Sequence, residues 1–262
     1  MTSSAAHNEQ GRSVGLFITC TADLFRPSVG FAAIKLLEEA GCSVDVPPSQ
    51  TCCAQPAYNA GDMPTARDLA KQVIEAFEGF DYIVAPSGSC ADMLRNQYAP
   101  LLNVEGDWAD RAKAFSQKCH ELISFLTDVC GVTQVDQKLD AVVTYHDSCS
   151  SNRGMNVKSQ PRVLLETIEG LTLKELEDTE ACCGFGGLFS VKYDDISNRI
   201  VTKKAEDVAG TEATMLVGGD LGCLLNIAGK LSRQGRAIEV RHVAEVLAGM
   251  TDTDAIGATK TR

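Results

Sequence analysis

Cysteine is the residue type in this sequence best suited to chemistry, because its positions form a repeated pattern. Of eleven cysteines in 262 residues, eight fall into two matching sets, each with a single cysteine, an adjacent pair and another single cysteine. The first set is Cys20, Cys52, Cys53 and Cys90, and the second is Cys149, Cys182, Cys183 and Cys223. The two sets are offset by about 130 residues. This repeat predicts two tandem, pseudo-symmetric halves, each with one site of four thiols.

Four thiols at one site suit an iron–sulfur cluster. Such clusters need soft thiolate ligands at a fixed separation, and a cubane cluster takes four. Neighbouring cysteines are poorly placed for a mutual disulfide, because bridged alpha carbons normally lie farther apart than one trans peptide allows. Gly184, Gly186 and Gly187 would let the chain turn so that both thiols of the second pair reach one ligand. The pattern therefore predicts clusters of the [4Fe-4S] type, one or two per chain, held by the eight cysteines.

Two other chemistries remain open for the repeated cysteines. Structural zinc is one, although zinc sites usually carry cysteines in Cys-x-x-Cys pairs, which this sequence lacks. A dithiol redox enzyme that uses the adjacent pairs is the other. The remaining cysteines, Cys42, Cys119 and Cys130, have no counterpart in the repeat. We predict that these three pack in the core as small apolar residues.

The elements predicted around the cysteines alternate between strand and helix. Short apolar runs predict buried strands that deliver the single cysteines, at residues 14–19, 82–85, 141–145 and 215–217. Amphipathic patterns predict helices at residues 29–40, 66–77, 161–168 and 197–208. This alternation predicts an α/β fold in which each half is a small parallel sheet with covering helices. The thiols would gather outside the carboxyl ends of the strands, where such sheets bind ligands.

The same pattern divides the chain into three segments. We predict a first cysteine-rich domain at residues 13–107, a linker or helical bridge at 108–139, and a second cysteine-rich domain at 140–250. The bridge is inferred from mixed charge and helical spacing over residues 111–130. Behind Cys223, the second domain is predicted to close with a helix at 224–231, a strand at 238–240 and a helix at 242–248.

Charge and hydropathy restrict the partners of the chain. A formal net charge of -11 argues against nucleic acid, whose binding depends on clustered Lys and Arg. No uncharged apolar run reaches the roughly 18 residues that a membrane-spanning helix requires. The segment Met1–Arg12 is polar and lacks the pattern of a secretory signal. We therefore expect a cytoplasmic protein, where metal binding or redox catalysis explains clustered cysteines better than disulfides do.

Four phrases of the sequence carry a resemblance to a known family. They are Cys52-Cys-Ala-Gln-Pro-Ala-Tyr-Asn-Ala-Gly61, Pro86-Ser-Gly-Ser-Cys90, His146-Asp-Ser-Cys149 and Ala181-Cys-Cys-Gly-Phe-Gly-Gly187. In these phrases the chain resembles the cysteine-rich (CCG) domain family of iron–sulfur proteins, with two copies covering nearly the whole chain. The family includes the iron–sulfur subunit of glycolate oxidase and the B subunit of heterodisulfide reductase.

The resemblance implies a function and a set of partners. It implies that the eight repeated cysteines bind iron–sulfur clusters. It also implies an electron-transfer subunit, and so part of an oxidoreductase, in a complex that oxidises L-lactate or a similar 2-hydroxy acid. The implied partners are a ferredoxin-like iron–sulfur subunit and a further subunit of that complex, with no nucleic acid and no membrane span.

The chain departs from the fuller family pattern at three positions. In heterodisulfide reductase each copy ends in Cys-x-x-Cys, and five cysteines hold a pair of fused clusters at which a disulfide is reduced. The first of those terminal cysteines corresponds to Ser87 in one half and Asp220 in the other, and the glycine of the first CCG is Ala54. A heterodisulfide-reductase-like thiol/disulfide oxidoreductase is the alternative function, and the missing cysteines count against it. Ser87 and Asp220 are candidate extra ligands, and His146 is a candidate ligand, hydrogen-bond donor, proton relay or structural residue.

Overall fold

Two four-stranded parallel sheets with the same strand order form the framework of the protein. The computed structural model describes residues 11–258. The first sheet holds β1 (Arg12–Leu16), β2 (Cys42–Asp45), β3 (Tyr82–Ala85) and β4 (Cys119–Glu121) in the order β2-β1-β3-β4. The second holds β5 (Lys138–His146), β6 (Glu169–Lys174), β7 (Met215–Gly218) and β8 (Glu239–His242) in the order β6-β5-β7-β8. All pairings are parallel, which confirms the predicted α/β fold of two tandem halves.

Helices connect the strands in both halves. Those of the first half are α1 (Cys20–Phe25), α2 (Ser28–Glu39), α3 (Gln55–Ala60), α4 (Met63–Phe77), α5 (Gly88–Asp92), α6 (Tyr98–Leu102), α7 (Trp108–Lys118) and α8 (Leu122–Ser124). Those of the second are α9 (Ser159–Leu165), α10 (Phe189–Lys192), α11 (Asp194–Gly210), α12 (Leu221–Arg233) and α13 (Val243–Leu247). Short π-helical segments lie at Met93–Gln97, Phe125–Val129 and Ser150–Gly154. The predicted helices at 29–40, 66–77, 161–168 and 197–208 are confirmed as α2, α4, α9 and α11.

Helix α4 shows how the sequence produces these elements. Its buried residues recur at helical spacing from Ala66 to Phe77 and form one apolar face. The carboxylate of Asp62 accepts a hydrogen bond of 3.2 Å from the backbone N–H of Thr65, which caps the start of the helix. At the other end, the ring of Phe77 lies 5.6 Å from the ring of Phe17, centroid to centroid. Helix α4 therefore covers the first sheet at the end of β1, next to the first set of thiols.

The two halves share a central core. One cluster of buried side chains contains Leu16 and Val84 from the first sheet together with Val143 and Val217 from the second. Two further clusters lie mainly within single halves, and each includes buried cysteines of the corresponding set. Because the central cluster joins the sheets, residues of one half can contact the site of the other.

The segment predicted as a linker or helical bridge, residues 108–139, contains α7, β4 and α8. Strand β4 completes the first sheet, with Cys119 opposite Ile83 of β3. Strands β2, β4 and β6 carried no clear sequence signal because each is a short or polar strand at the edge of its sheet. The domain limits at 13–107 and 140–250 stay a prediction.

Helix length and composition bear on the membrane. The longest helix of the described residues is α11, which has 17 residues and several charged side chains. Between residues 11 and 258, none of the helices combines the length and the apolar character needed to cross a bilayer. Residues 1–10, most of the segment considered for a secretory signal, lie outside the described range.

Candidate metal centre

The single cysteines lie just beyond the carboxyl ends of the central strands. Cys20 follows β1, Cys90 follows β3, Cys149 follows β5 and Cys223 follows β7. The sequence predicted them at the strand ends, whereas Cys20 opens α1, and Cys90 and Cys223 are the third residues of α5 and α12. The hydroxyl of Ser87 accepts a hydrogen bond of 3.4 Å from the backbone N–H of Cys90 and so starts α5. Cys20, Cys90 and Cys223 therefore sit in the first turn of a helix that directly follows a central strand.

The first set of four thiols forms a continuous chain of sulfur contacts. The thiol of Cys53 donates a hydrogen bond to the sulfur of Cys90 at 3.3 Å. Further thiol hydrogen bonds join Cys20 to Cys52 and Cys52 to Cys53. Cys53 and Cys90 are buried, whereas Cys20 is exposed. The four sulfurs therefore lead from the core to the surface.

The second set repeats this arrangement. Thiol hydrogen bonds join Cys149 to Cys182, Cys182 to Cys183, and Cys183 to Cys223. Cys183 and Cys223 are buried, whereas Cys149 and Cys182 are exposed. The structure therefore brings together all four members of each set that the sequence singled out.

Each adjacent pair of cysteines is held in a tight turn by the residue that follows it. Ala54 and Gly184 both adopt the left-handed conformation, with φ of 70° and 80°. In the second half, the backbone N–H of Gly184 donates to the sulfur of Cys182 (3.3 Å), and that of Phe185 donates to the sulfur of Cys183 (3.5 Å). The first half has the same two backbone hydrogen bonds to its pair. N–H groups directed at sulfur stabilise the thiolate, which is the form that binds metals.

Hydrogen bonding in the second set favours one particular thiolate. The thiols of Cys149 and Cys183 donate to the sulfur of Cys182 and lower its pKa to about 2. The pKa of Cys149 is raised because its thiol donates to Cys182 and because it is partly buried. In the first set, the pKa of Cys20 is raised in the same way by its hydrogen bond to Cys52 and by burial. Within the second set these two hydrogen bonds therefore favour the thiolate at Cys182 over that at Cys149.

His146, the last residue of β5, lies beside the second set. It is 1% exposed, and neither of its ring nitrogens has a hydrogen-bond partner. One ring nitrogen and the sulfurs of Cys183 and Cys223 all lie within 4.8 Å of one another. Burial lowers the pKa of His146 to about 3, so the imidazole is neutral at physiological pH. Two thiols and a neutral imidazole form a donor set suited to transition metals such as zinc, iron or cobalt.

Ser87 and Asp220, which stand where the fuller family pattern has a further cysteine, contact each other. The carboxylate of Asp220 accepts hydrogen bonds from the hydroxyl of Ser87 (3.1 Å) and from the backbone N–H of Ser89 (2.9 Å). Asp220 and Ser87 are buried, with exposed fractions of 5% and 4%. Asp220 therefore links the start of α12 in the second half to the start of α5 in the first.

The three unrepeated cysteines lie outside both sets. Cys42 and Cys119 are buried in the core and Cys130 packs against it, which confirms their predicted role. The sulfur of Cys42 lies 3.8 Å from that of Cys130, although 88 positions separate the two residues. The thiol of Cys119 donates to the backbone carbonyl of Phe115. These thiols are accounted for by packing and by contacts away from the two sets.

Lys204, a charged residue near the second set, was not among the residues predicted from the sequence. The side chain of Lys204 is fully buried in α11, and its ammonium group donates to the backbone carbonyl of Asp178 at 2.8 Å. After burial, its charge is the next factor that lowers the pKa of His146. The sequence pattern could have indicated that Lys204 is buried, because it falls at helical spacing between the apolar residues Val201 and Val208.

Among solved structures, the fold is similar to that of a hypothetical protein from Helicobacter pylori. The TM-score is 0.56 at 12% sequence identity, and the match covers 95% of this chain and 52% of that chain. The chain thus corresponds to about half of the length of that protein. At this identity the likeness shows the fold alone.

Sequence comparison identifies the family. The Cysteine-rich domain (CCG) family matches residues 14–95 and 143–228, one copy in each half. Lactate utilization protein A of Bacillus cytotoxicus is 45% identical over 234 residues, which cover 89% of this chain and 98% of that protein. Lactate utilization protein A of Bacillus cereus is 44% identical over the same shares of both chains. The chain therefore belongs to the cysteine-rich domain family, as a member with two copies of the domain, and within it to the family of lactate utilization protein A.

Proposed function

We propose that this protein is an iron–sulfur electron-transfer subunit of a complex that oxidises L-lactate or a similar 2-hydroxy acid. The observation that carries the proposal is the convergence of two equivalent sets of four sulfurs, each leading from buried to exposed cysteines. The relatives named lactate utilization protein A supply the metabolic process. In this proposal the protein is part of an oxidoreductase rather than the whole enzyme.

The residues around the sulfurs fit an iron–sulfur cluster. Each half offers four soft ligands, the number that a [4Fe-4S] cluster takes, so one or two clusters per chain are proposed. The turns at Ala54 and Gly184 direct backbone N–H groups at the paired cysteines and stabilise their thiolates. A bound cluster supplies one-electron transfer. The exposed thiols of Cys20 and Cys149 bring each site to the surface, within reach of a partner.

Exposed apolar side chains near both sites suit a partner surface. Leu24 and Phe25 belong to α1, the helix that Cys20 opens, and are largely exposed. Val191 and Tyr193 follow the glycine turn of the second set and are also exposed. We assign these side chains to the docking of a ferredoxin-like iron–sulfur subunit and of the subunit that oxidises the hydroxy acid. The cytoplasm is the proposed location, because reduced thiols in this number suit a reducing compartment.

Metal analysis tests the cofactor. Protein purified without oxygen, or reconstituted with iron and sulfide, should contain about four irons and four sulfides per occupied half. The change Cys182→Ser should remove the iron and sulfide bound by the second half, and Cys52→Ser those bound by the first. The two variants therefore show whether the chain binds one cluster or two. A colourless product without iron after reconstitution contradicts the proposal. Stoichiometric zinc in place of iron would identify a structural metal module instead.

Growth tests the assignment to lactate. A strain that lacks this protein should fail to grow on L-lactate as the carbon source and should grow normally on a sugar. The unchanged protein should restore growth, whereas the Cys182→Ser variant, if it accumulates to the same level, should not. Normal growth of the deleted strain on L-lactate would contradict the assignment.

A thiol/disulfide oxidoreductase is the second candidate function. The observation that favours it is the exposed Cys182, whose pKa is lowered to about 2 by the thiols of Cys149 and Cys183, since a thiolate beside further thiols can attack a disulfide. The isolated protein should then reduce a small disulfide repeatedly when a reductant is supplied. No turnover above that of the Cys182→Ser variant would remove this candidate.

A further inference from the structure

The two four-thiol sites differ in the residue three positions before the first cysteine of each set. His146 lies three positions before Cys149, and Phe17 lies three positions before Cys20. The two positions are equivalent in the sheets. Phe17 directly follows Leu16, which pairs with Val84 of β3, and His146 directly follows Tyr145, which pairs with Val217 of β7. The first site therefore has an apolar ring where the second site has an imidazole.

The surroundings of the two rings show what each is suited to do. Phe17 is fully buried in the same apolar cluster as Cys53 and Cys90. Its ring has no polar atom and therefore needs no hydrogen-bond partner there. His146 is equally buried, but both of its polar nitrogens lack a hydrogen-bond partner. A buried polar group without a partner destabilises a folded chain. The fold therefore carries a cost at His146 that it avoids at Phe17.

A ligand at the second site would offset this cost. A nitrogen of His146 and the sulfurs of Cys183 and Cys223 lie within 4.8 Å of one another, and all three residues are buried. Among the residues that the structure describes, no other group of histidine, cysteine or carboxylate side chains meets the same criterion. Neutral imidazole and thiolate together bind zinc, cobalt and iron well.

We infer that the second half binds its metal with mixed ligation, in which His146 joins cysteines of the second set, Cys183 and Cys223 being nearest to it, whereas the first half uses cysteines alone. The inference deepens the proposed function by making the two sites chemically different, and it rests on that function only where the metal is iron. In iron–sulfur centres, replacing thiolates by imidazole raises the reduction potential. The second site would then hold an electron more tightly than the first.

Cobalt(II) alone tests the inference without a cluster. The test uses the full chain with Cys20→Ser and Cys52→Ser, which disables the first site at its two more accessible cysteines. Cobalt(II) should give sulfur-to-metal absorption bands and a paramagnetically shifted imidazole proton resonance. The further change His146→Phe, which copies the first half, should weaken cobalt binding by at least about tenfold and remove the shifted resonance.

The metal-free protein provides an independent readout. Because His146→Phe replaces an unsatisfied buried ring with an apolar one, it should raise the melting temperature of the metal-free chain or leave it unchanged, despite weakening metal binding. Unchanged cobalt affinity in this variant would overturn the inference. If the larger ring prevents folding, His146→Gln replaces it, and absence of a shifted imidazole resonance in the cobalt-loaded protein that retains His146 overturns the inference by itself.

Iron loading separates this inference from the proposed function. In reconstituted protein labelled with ¹⁵N at histidine, pulsed electron paramagnetic resonance of the reduced sample should show a nitrogen coupled directly to the iron, and His146→Phe should abolish it. Iron with no such coupling overturns the mixed ligation and leaves the electron-transfer function standing. Cobalt bound through His146 in a chain that takes up no iron would support the mixed ligation and contradict the electron-transfer function.

Discussion

The hydroxyl of Ser87 donates a hydrogen bond of 3.1 Å to the carboxylate of Asp220, across the contact between the two halves. Both residues stand where the fuller family pattern has a fifth cysteine. The same carboxylate oxygen accepts a hydrogen bond of 2.9 Å from the backbone N–H of Ser89. It therefore provides an acceptor for one of the N–H groups at the start of α5, which have no partner within the helix. In this chain the two positions thus connect the halves to each other.

This contact predicts that Asp220 contributes to stability rather than to metal content. Asp220→Ala should lower the free energy of unfolding by about 1–3 kcal/mol, because it removes the acceptor of two hydrogen bonds, one from the buried hydroxyl of Ser87 and one from the partly buried N–H of Ser89. Asp220→Asn, which keeps one acceptor oxygen, should cost less. Urea unfolding of the metal-free chain measures the effect, and iron analysis of the reconstituted variants supplies the comparison. Loss of iron with unchanged stability would instead make Asp220 a ligand.

The residue after each cysteine pair gives a prediction with opposite signs in the two halves. Ala54 has φ of 70°, a conformation that costs an L-residue about 1–2 kcal/mol, so Ala54→Gly should stabilise the protein by up to about 1 kcal/mol after the entropy of glycine is counted. Gly184→Ala should destabilise it by more than that, because the added Cβ would lie 2.8 Å from the backbone oxygen of Ser197. Thermal unfolding of both variants checks the signs. A stabilising Gly184→Ala would contradict this description of the turn.

The unrepeated cysteines should be dispensable for metal binding. Cys42→Ala and Cys130→Ala, singly and together, should leave iron and sulfide content unchanged, because this pair lies in and against the core outside both sets. Cys183→Ala is the matched comparison for Cys42→Ala, since it also removes a buried thiol but one that belongs to a set. It should lose the iron of the second half. Loss of iron from the Cys42 or Cys130 variants would show that the sets are larger than four thiols.

Glu121 should make stability fall as the pH rises. Burial raises the pKa of this carboxyl group from 4.5 to about 7, and the nearby carboxylates of Asp128 and Asp220 act in the same direction. Between these two values the folded state holds a proton that the unfolded state has lost, so the free energy of unfolding decreases through this window by about 3 kcal/mol. Above about pH 7 the whole loss of stability caused by ionised, buried Glu121 is present, and below about pH 4.5 there is no such loss.

The variant Glu121→Gln isolates this effect, because it keeps an acceptor for the backbone N–H of Ser124 and removes the titration. Relative to the unchanged metal-free protein, its free energy of unfolding should rise by about 3 kcal/mol between pH 4.5 and pH 8. Buried histidines such as His242, whose pKa is lowered by burial, titrate in both proteins and cancel in the difference. Urea unfolding at a series of pH values measures it. A difference that does not change with pH would show that Glu121 is ionised throughout.

The repeat of eight cysteines was sufficient to predict two halves and two sets of thiols, and short apolar runs predicted the central strands. Strands β1, β3, β5 and β7 are the inner strands of their sheets, so they read as continuous apolar runs in the sequence. Edge strands such as Cys119–Glu121 escaped prediction because they are short and polar, and their place is decided by pairing rather than by local composition. The placement of Cys20 and Cys90 within helices likewise depended on caps at Thr19 and Ser87.

By itself, the sequence determined which residue types could bind metal and in what order they occur, because a repeat and its spacing are properties of the chain. Only the tertiary structure decided where each remaining polar residue lies and what it contacts. Ser87 and Asp220 are 133 positions apart and meet because one half packs on the other. His146 looked equally suited to several roles until its burial, its unpartnered nitrogens and its distance to Cys183 and Cys223 were known. Such contacts arise from the packing of distant segments, which no local pattern of residues encodes.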